Sequence, residues 1–420
     1  MKKIFETPST GNYFFGYYDK SPLNLDNTLL LACKSNFIDR AVTSSDQLEI
    51  GYFKYQESNK FIKVATTRAW NWQQGCMLQW VMNGSGKKII FNDIVDNKFV
   101  SIILNIDTKE RQILPMSYYT MSSGGDFVLC IDNERHAFYR PNYSYKGIDN
   151  LSKKHPCPDD DGIWFISIKT NETRQIISLK QILAIKPLSN MEGAIHYLEH
   201  LMINPNDKRF MFLHRWKIND GSVYSRLYTA DTDGHDIYLL NDSGRVSHSC
   251  WKNNNEIISW SGLTNAINFL RKYKKIVKYT IKPLLPYYKK ISGGGSVEGG
   301  SKLSQFVTGD SYINFKDKTK VKTRLKFGEL QKDGHPSFSK VNGNLLLTDT
   351  YPIKSNKNKQ ELILFDLKSK SILAKKYLSH DKYSQSPMRC DLHPKWSHDG
   401  KMISIDTIDN DYRSIYVYET

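Results

Sequence analysis

The sequence of 420 residues lacks the motifs that mark several large classes of enzyme. Its six cysteines include no C-x-x-C pair, which excludes a zinc ribbon and a thioredoxin-type site. There is no P-loop and no G-x-G-x-x-G after a predicted strand, so nucleotide chemistry has no supporting motif. The G-x-S-x-G elbow of serine hydrolases is missing too. No apolar run reaches the roughly 18 residues that a membrane-spanning helix requires.

The first residues carry only part of a secretory signal. Lys2 and Lys3 give the basic beginning of such a signal, but no apolar stretch follows them. With Met1 as the native start, we expect a cytoplasmic protein that is either free or peripheral to the inner membrane. The sequence does not indicate an oligomeric state.

Basic residues exceed acidic ones, with 59 Lys and Arg against 43 Asp and Glu and a formal net charge of +16. With 40% hydrophobic and 24% charged residues, the composition excludes a disordered, collagen-like or coiled-coil protein. Residues 271–290 hold eight cations and no acid, so half of the excess lies in one segment. No nucleic-acid recognition motif accompanies the charge, and we expect no specific nucleic-acid partner.

A repeat that begins with histidine runs through the second half of the chain. Its clearest copy is His393-Pro394-Lys395-Trp396, followed by a polar turn and two predicted strands, and a near twin begins at His335-Pro336. Weaker copies begin at His248 and His200. Aligning the apolar residue three places later extends the series to positions 20, 77 and 118. Each unit has the pattern strand, tight polar turn, strand, loop, strand.

Seven such units predict an all-β fold, a seven-bladed β-propeller in which residues 1–420 form one domain. Two gaps are too long for one unit, so we predict insertions at residues 133–162 in blade three and 262–310 in blade five. Within the second, residues 265–291 have apolar residues at helical spacing. This basic amphipathic segment either contacts an anionic membrane or polymer or is a solvated helix packed over the propeller. Its candidate contact residues are Arg271, Lys272, Lys274, Lys275 and Lys278.

Four consecutive units open with a histidine at the same place in the repeat, which predicts that the four side chains converge at one mouth of the channel. They are His200, His248, His335 and His393. Imidazoles gathered there can bind a divalent metal or act as a general base. A structural role is the alternative, because a His-Pro step before such a turn recurs in many propellers with its ring bonded to the neighbouring blade.

Carboxylates and arginines near these histidines extend the candidate site. Asp333 and Asp391 each stand two residues before a histidine, and residues i and i+2 of an extended segment face the same way. The pairing of carboxylate with imidazole suits Mn²⁺ or Zn²⁺. Arg215 and Arg389 are fixed cations of the kind that hold a substrate carboxylate.

Two aromatic strings nearer the N-terminus have the composition of a sugar site. Gly16-Tyr17-Tyr18-Asp19-Lys20 and Trp70-Asn71-Trp72-Gln73-Gln74-Gly75 combine flat apolar faces with amides and charges. Such groups suit the C–H faces and hydroxyls of a sugar. Core packing of Trp70 and Trp72 is the competing interpretation. The candidate substrate-binding residues are Tyr17, Tyr18, Asp19, Lys20, Trp72, Gln73 and Gln74.

Some of these strings resemble those of a known family. His200-Leu201-Met202-Ile203-Asn204-Pro205 and Asp333-Gly334-His335-Pro336-Ser337-Phe338-Ser339 look like segments of the oligogalacturonate lyases. Those are seven-bladed propellers that cleave acidic oligosaccharides with a manganese ion held by histidines and a glutamine. The resemblance implies that His248 and His335 are metal ligands. Asp333 stands where the family has another histidine, and Gln331 is offset by one residue from the glutamine.

The N-terminal strings resemble another group. Phe15-Gly16-Tyr17-Tyr18-Asp19-Lys20-Ser21-Pro22 and Trp72-Gln73-Gln74-Gly75 are similar to strings in uncharacterised bacterial propeller proteins, some of which accompany surface-polysaccharide genes. That resemblance implies a role in the chemistry of surface or capsular polysaccharide.

Our hypothesis from the sequence is a metal-assisted β-elimination on an acidic poly- or oligosaccharide. The predicted metal ligands are His248, Asp333, His335 and His393, and the predicted catalytic residues are His200, His214, Arg215, Arg389 and Asp391. His200 or His214 would be the base, and Arg215 or Arg389 would hold the carboxylate. The alternatives are a glycosyltransferase or other polysaccharide-assembly enzyme at the inner membrane, and a non-catalytic scaffold.

Overall fold

The computed structural model describes residues 1–82, 86–149, 155–262, 310–325, 328, 330–353, 356–378, 383, 387–408 and 411–420. The basic segment at 265–291, with Arg271, Lys272, Lys274, Lys275 and Lys278, lies outside these residues, as does most of the predicted insertion at 262–310.

The described chain forms seven antiparallel sheets of four strands each. After the N-terminal β1 (Lys2–Glu6), blade one contains β2 (Asn12–Phe14), β3 (Leu30–Ser35), β4 (Leu48–Phe53) and β5 (Phe61–Thr67). Blade two contains β6 (Gln79–Val81), β7 (Lys88–Val95), β8 (Lys98–Asn105) and β9 (Arg111–Leu114). Blade three contains β10 (Tyr118–Met121), β11 (Phe127–Cys130), β12 (Gly162–Ser167) and β13 (Thr173–Ser178).

The second half of the ring continues in the same way. Blade four contains β14 (Ile195–Ile203), β15 (Arg209–Lys217), β16 (Val223–Asp231) and β17 (Tyr238–Gly244). Blade five contains β18 (Val246–Trp251), β19 (Glu256–Ser261), β20 (Ser311–Lys316) and β21 (Lys322–Arg324). Blade six contains β22 (Ser337–Phe338), β23 (Leu345–Asp349), β24 (Gln360–Asp366) and β25 (Ser371–Leu378). The last strands are β26 (Lys395–Trp396), β27 (Met402–Thr407) and β28 (Ser414–Glu419).

Blade seven is completed by the first strand of the chain. Its sheet has the order β1, β28, β27, β26, and Lys2 lies opposite Glu419 in an antiparallel pair. The two ends of the described chain therefore share one sheet, and this pairing closes the ring. The predicted seven-bladed β-propeller is confirmed, and the contribution of β1 explains why the last repeat supplies three strands rather than four.

The burial of each strand follows its distance from the channel. Strands in the middle of a blade pack against both neighbouring blades, so β8 and β28 are apolar along most of their length rather than alternating. Of the outermost strands, β21 is fully exposed and β25 is mostly half-buried. Burial therefore falls at the outer edge of these blades, as it does in a closed ring of stacked sheets.

The first repeat begins earlier than the alignment predicted. Its inner strand, β2, starts at Asn12, whereas the repeat pattern placed the start at Lys20. The inner edge of blade one resumes at Leu23, which forms a β-bridge with Leu30, and residues 15–22 loop out between the two parts. The repeat pattern identified the correct blade, but Lys20, the residue it took as the start, lies near the end of the loop that follows β2.

Buried carboxylates join successive blades. Asp349, the last residue of β23, accepts hydrogen bonds from the backbone N–H groups of His335 in its own blade (2.7 Å) and His393 in the next (3.2 Å). Asp406 on β27 does the same for blade one, where it accepts the N–H groups of Phe15 and Gly16, both at 2.9 Å. Each carboxylate thus fixes the start of the following blade.

Two short helices lie in the connections. Helix α1 (Asn133–Tyr139) is in the predicted insertion of blade three and begins at Asp132, whose side chain accepts the N–H groups of Glu134 and Arg135. Helix α2 (Leu179–Ala184) follows β13 and begins with a capping box formed by Ser178 and Gln181. Among the described residues, neither helix has the length and apolarity that crossing a bilayer would take.

We expect Asp406→Asn to weaken the closed ring strongly. The substitution removes the charge that accepts two backbone N–H groups and leaves Lys395, 3.2 Å away and fully buried, without a counter-ion. Breaking a buried ion pair of this kind costs about 3–5 kcal/mol of unfolding free energy, to be measured by denaturant titration. Asp107→Asn, which breaks an exposed ion pair with Lys87, is the control and should cost less than about 1 kcal/mol. Equal losses in the two variants would contradict the role of Asp406.

Candidate functional site

The structure brings the four predicted histidines together at the channel. Moving from blade four to blade seven, the ring centroids of His200 and His248 are 6.1 Å apart, those of His248 and His335 4.2 Å, and those of His335 and His393 4.3 Å. Neighbouring blades therefore place their imidazoles in one continuous row. Such a row can hold a metal ion or move a proton.

The backbone at two of these histidines is bent toward the channel. His200 has φ +57° and His393 φ +42°, in the left-handed region that residues other than glycine seldom adopt. At His200 the pairing of β14 with β15 shifts register between Glu199 and Met202, which is a β-bulge. A bulge turns a side chain away from the regular alternation of the strand, so the distortion explains how this imidazole reaches the channel.

His335 is oriented by a buried carboxylate. Its Nδ1 lies 2.9 Å from Oδ1 of Asp349, which therefore accepts a hydrogen bond from the ring. In the neutral ring the proton held on Nδ1 leaves a lone pair on Nε2 for another partner, and a metal ion that binds Nε2 would displace the second proton of the charged ring. A carboxylate behind a histidine in this way is the usual support of a metal-binding imidazole.

One group of three residues has the geometry of a metal site. His335, Asp391 and His393 each offer a ligand atom, the three atoms lie within 4.8 Å of one another, and all three residues are buried. Ligand bonds of about 2 Å place two ligand atoms of one ion at most about 4 Å apart, so a small inward movement of these side chains would let all three atoms bind one ion. Asp391 is held in place by Arg389, whose Nε and Nη2 donate to its two oxygens at 2.7 and 2.8 Å. Two imidazoles and a carboxylate fit a divalent ion such as Mn²⁺ or Zn²⁺.

The other two predicted ligands, His248 and Asp333, bind each other. Nδ1 of His248 lies 3.1 Å from Oδ1 of Asp333, and Ser247 donates to the second oxygen at 2.6 Å. The hydroxyl of Tyr351 lies 3.5 Å from Nε2 of His248. This pair adjoins the group of three, because the ring centroids of His248 and His335 are 4.2 Å apart. The group with metal-like spacing therefore includes Asp391 of blade seven in place of the predicted ligands His248 and Asp333.

The protonation of the histidines differs along the row. Burial holds the pKa of His200 and of His393 well below the ordinary value, so both rings are neutral at pH 7. Burial also acts on His335, but the charge and hydrogen bond of Asp349 outweigh it and raise the pKa of that ring. A neutral imidazole has a lone pair, so His200 can accept a proton and His393 can bind a metal.

The loop from blade one fills the space between these rings. The Tyr17 hydroxyl lies 3.1 Å from Nε2 of His200, and the Tyr18 ring is 5.3 Å from that of His335 while its hydroxyl donates to Ser249 O at 2.8 Å. Burial raises the pKa of both tyrosines well above the ordinary value, so both stay protonated. Deeper in the loop, Asp19 and Lys20 form a buried ion pair at 2.7 Å.

The second aromatic string is mostly core. Trp72 is 4% exposed, packs with its ring centroid 5.0 Å from that of Trp70, and donates from Nε1 to Arg40 O at 2.9 Å. Gln73 and Gln74 are buried as well, and each donates a hydrogen bond to a residue near the histidine row. Gln73 donates to Arg389 O at 2.8 Å, and Gln74 donates to the Tyr119 hydroxyl at 3.1 Å.

His214 lies away from the channel. It is fully buried inside blade four, where its Nε2 is 3.0 Å from Nδ1 of His196 and its ring stacks on Trp216. Its neighbour Arg215 points the other way and forms an ion pair with Glu199, next to His200. Successive residues of β15 face opposite sides of the sheet, which separates the two predicted residues.

Sequence reasoning missed Asp349, Glu199 and Tyr351. Asp349 and Asp406 stand at the same place in the two clearest repeats, each followed by threonine, and this repetition was a usable signal. Glu199 is buried beside Arg215 and Arg140; burial raises its pKa, but the two guanidiniums outweigh this and hold it well below the ordinary value. Tyr351 packs under the Arg389 guanidinium, 4.5 Å from the ring centroid, and no sequence pattern marks it.

Comparison with known proteins agrees with the fold. No protein-family model matches the chain, and no curated protein is similar enough in sequence to count as a match. A solved oligogalacturonate lyase in complex with manganese superposes with a TM-score of 0.60 at 13% identity, over 98% of this chain and 91% of that one. An oligogalacturonate lyase from Vibrio parahaemolyticus gives 0.56 at 11% identity, over 98% and 92%. The resemblance seen in the sequence is confirmed in the fold, and identities this low show no more than the fold.

We expect Gly16→Ala to disturb the loop that carries Tyr17 and Tyr18. Gly16 has φ +119°, and an added Cβ would lie 2.6 Å from the backbone oxygen of Gln74, which cannot move aside. The combined strain and clash should lower the unfolding free energy by about 2–4 kcal/mol in a denaturant titration. Gly193→Ala is the matched control, because Gly193 has φ +66° with open space around it. A loss no larger than in the control would contradict the close packing of this loop.

Proposed function

We propose that the protein is a lyase that cleaves an acidic poly- or oligosaccharide by metal-assisted β-elimination. The observation that carries the proposal is the buried group of His335, Asp391 and His393, with ligand atoms within 4.8 Å of one another in the row of channel histidines. The two similar solved structures, an oligogalacturonate lyase and an oligogalacturonate lyase in complex with manganese, support the same chemistry.

The metal would be held by Nε2 of His335, a carboxylate oxygen of Asp391 and an imidazole nitrogen of His393. When bound, a divalent ion supplies positive charge that stabilises the anion formed from a uronate and makes its C5 proton more acidic. Asp349 keeps the Nδ1 proton of His335 and so directs Nε2 toward the ion. Arg389 holds Asp391 by a two-point contact, which keeps both carboxylate oxygens in place.

His200 is the base in this proposal. It is neutral, it belongs to the histidine row, and both of its ring nitrogens, one of which accepts, lie within hydrogen-bond reach of the Tyr17 hydroxyl. In the reaction the C5 proton passes to His200 and the C5–H electron pair forms the C4–C5 double bond. The C4–O bond breaks, and the leaving oxygen takes up a proton from water. Arg215 would hold the uronate carboxylate on the side of blade four, where it lies beside His200.

Metal binding tests the ligand set without any substrate. We expect the protein to bind one Mn²⁺ or Zn²⁺ in equilibrium dialysis, and His335→Ala to abolish the binding. Asp349→Asn should weaken it about 10- to 100-fold, because the support behind the imidazole is lost. The exposed His235→Ala variant should bind as the wild type does. Wild-type protein that retains no divalent ion would remove the metal from the proposal.

Activity is tested with a panel of uronate polymers and oligomers in the presence of Mn²⁺. The unsaturated product of β-elimination absorbs in the ultraviolet, so we expect absorbance to rise with wild-type protein and to stop rising when EDTA is added. His200→Ala should lower the rate at least about 100-fold, the usual contribution of a positioned base. His214→Ala, which alters a histidine outside the channel, should have the wild-type rate per molecule of folded protein. No absorbance change across the whole panel would count decisively against a lyase.

A further inference from the structure

A buried glutamate beside the histidine row is contacted by two arginines from different parts of the chain. Glu199 lies on β14 next to His200 and is 1% exposed. Arg215 on β15 forms an ion pair with its Oε1. Arg140, which follows helix α1 in the insertion of blade three, donates from Nε to Oε2 at 3.1 Å.

This cluster carries one net positive charge before any histidine is counted. Arg140 and Arg215 contribute two positive charges, and Glu199 stays ionised and contributes one negative charge. The side chain of Glu199 is 2% exposed, whereas those of Arg140 and Arg215 are 26% and 16% exposed. The carboxylate is therefore shielded from solvent, and the part of the cluster that solvent or a ligand can reach belongs to the two arginines.

The insertion holds Arg140 in a fixed position. Buried Arg135 ties the insertion together, donating to Asp161 at 2.6 Å and to the backbone oxygens of His155 and Pro156 at 2.6 and 3.0 Å. The Arg140 guanidinium lies 4.3 Å from the ring centroid of Tyr143. A planar guanidinium supported by an aromatic face and a carboxylate loses little freedom when it binds a second anion.

The positive cluster lies next to the proposed base. Arg140 donates to Oε2 of Glu199 at 3.1 Å, and Oε1 of the same carboxylate lies 4.0 Å from Nε2 of His200. The positive cluster therefore adjoins the proposed base rather than a remote surface.

We propose that Arg140 and Arg215 together form a clamp for one negatively charged group of the glycan, and that Arg140 is a specificity-determining residue supplied by the insertion of blade three. The inference rests on the proposed function in taking an acidic glycan as the ligand. The bound group is an oxyanion, either a uronate carboxylate or a sulfate ester. The fork geometry of two guanidiniums matches both groups.

Calorimetric titration of the full-length protein in EDTA, where turnover is prevented, tests the clamp. The ligands are a uronate oligosaccharide, a sulfated oligosaccharide and a neutral oligosaccharide of the same length. Arg140→Gln should bind the preferred acidic ligand about tenfold more weakly, the loss of one charge-assisted contact, with no change for the neutral one.

The control is Arg111→Gln, which removes an exposed cation of β9 in blade two and should leave every affinity unchanged. Preference for the uronate or for the sulfated ligand identifies the oxyanion, and either preference supports the clamp. Equal affinity of the wild type and Arg140→Gln overturns the clamp but leaves the proposed function standing. Equal weakening of the acidic and the neutral ligand would assign Arg140 a structural role and also overturn it. A wild type that binds neither acidic ligand in EDTA overturns the clamp, which needs no metal, and the ultraviolet assay with Mn²⁺ then decides the proposed function on its own.

Discussion

The closed ring depends on the carboxylate of Asp406. A propeller blade buries its faces only against its two neighbours, so one open seam would expose apolar faces on two blades at once. Asp406 spans the seam between the last blade and the first by accepting the backbone N–H groups of Phe15 and Gly16. Its own charge is neutralised in the dry interior by Lys395. Asp349 performs the same task one blade earlier, which makes the contact a repeated element of the fold rather than a local accident.

The contact between blades seven and one also determines the shape of the candidate site. Because Gly16 is fixed to Asp406, the loop that follows it enters the channel and places Tyr17 and Tyr18 against histidines that come from the opposite half of the ring. The row of imidazoles is therefore completed by residues some 180 or more positions away in the chain, as the separation of Tyr17 from His200 illustrates. The contacts that close the ring therefore also position the residues of the candidate site.

Much of this arrangement could be predicted from the sequence, because equal position in a repeat means equal position around a ring. That rule found the seven blades and placed His200, His248, His335 and His393 together. It could not order the contacts within the row, since the pairing of His335 with Asp349 rather than Asp333 depends on side-chain direction and not on spacing. The insertion of blade three has no periodicity, so Arg140 could not be connected to Glu199 from the sequence. His214 could have been separated from Arg215, because neighbours on a strand face opposite sides.

The pairing of β1 with β28 has a consequence for the order of folding. The first strand to be synthesised has its partner among the last residues of the described chain, with Lys2 opposite Glu419. Blades one to six can form one after another as the chain emerges, each resting on the blade before it, but blade seven cannot be completed until both partners are present. Contacts this distant in sequence are slow to form, because the intervening chain must be ordered before they are gained. Blade seven also carries Asp406, whose contacts with the N–H groups of Phe15 and Gly16 fix the loop that holds Tyr17 and Tyr18. A chain in which blade seven is incomplete would have the histidines of blades four to six without Tyr17 and Tyr18 packed against them.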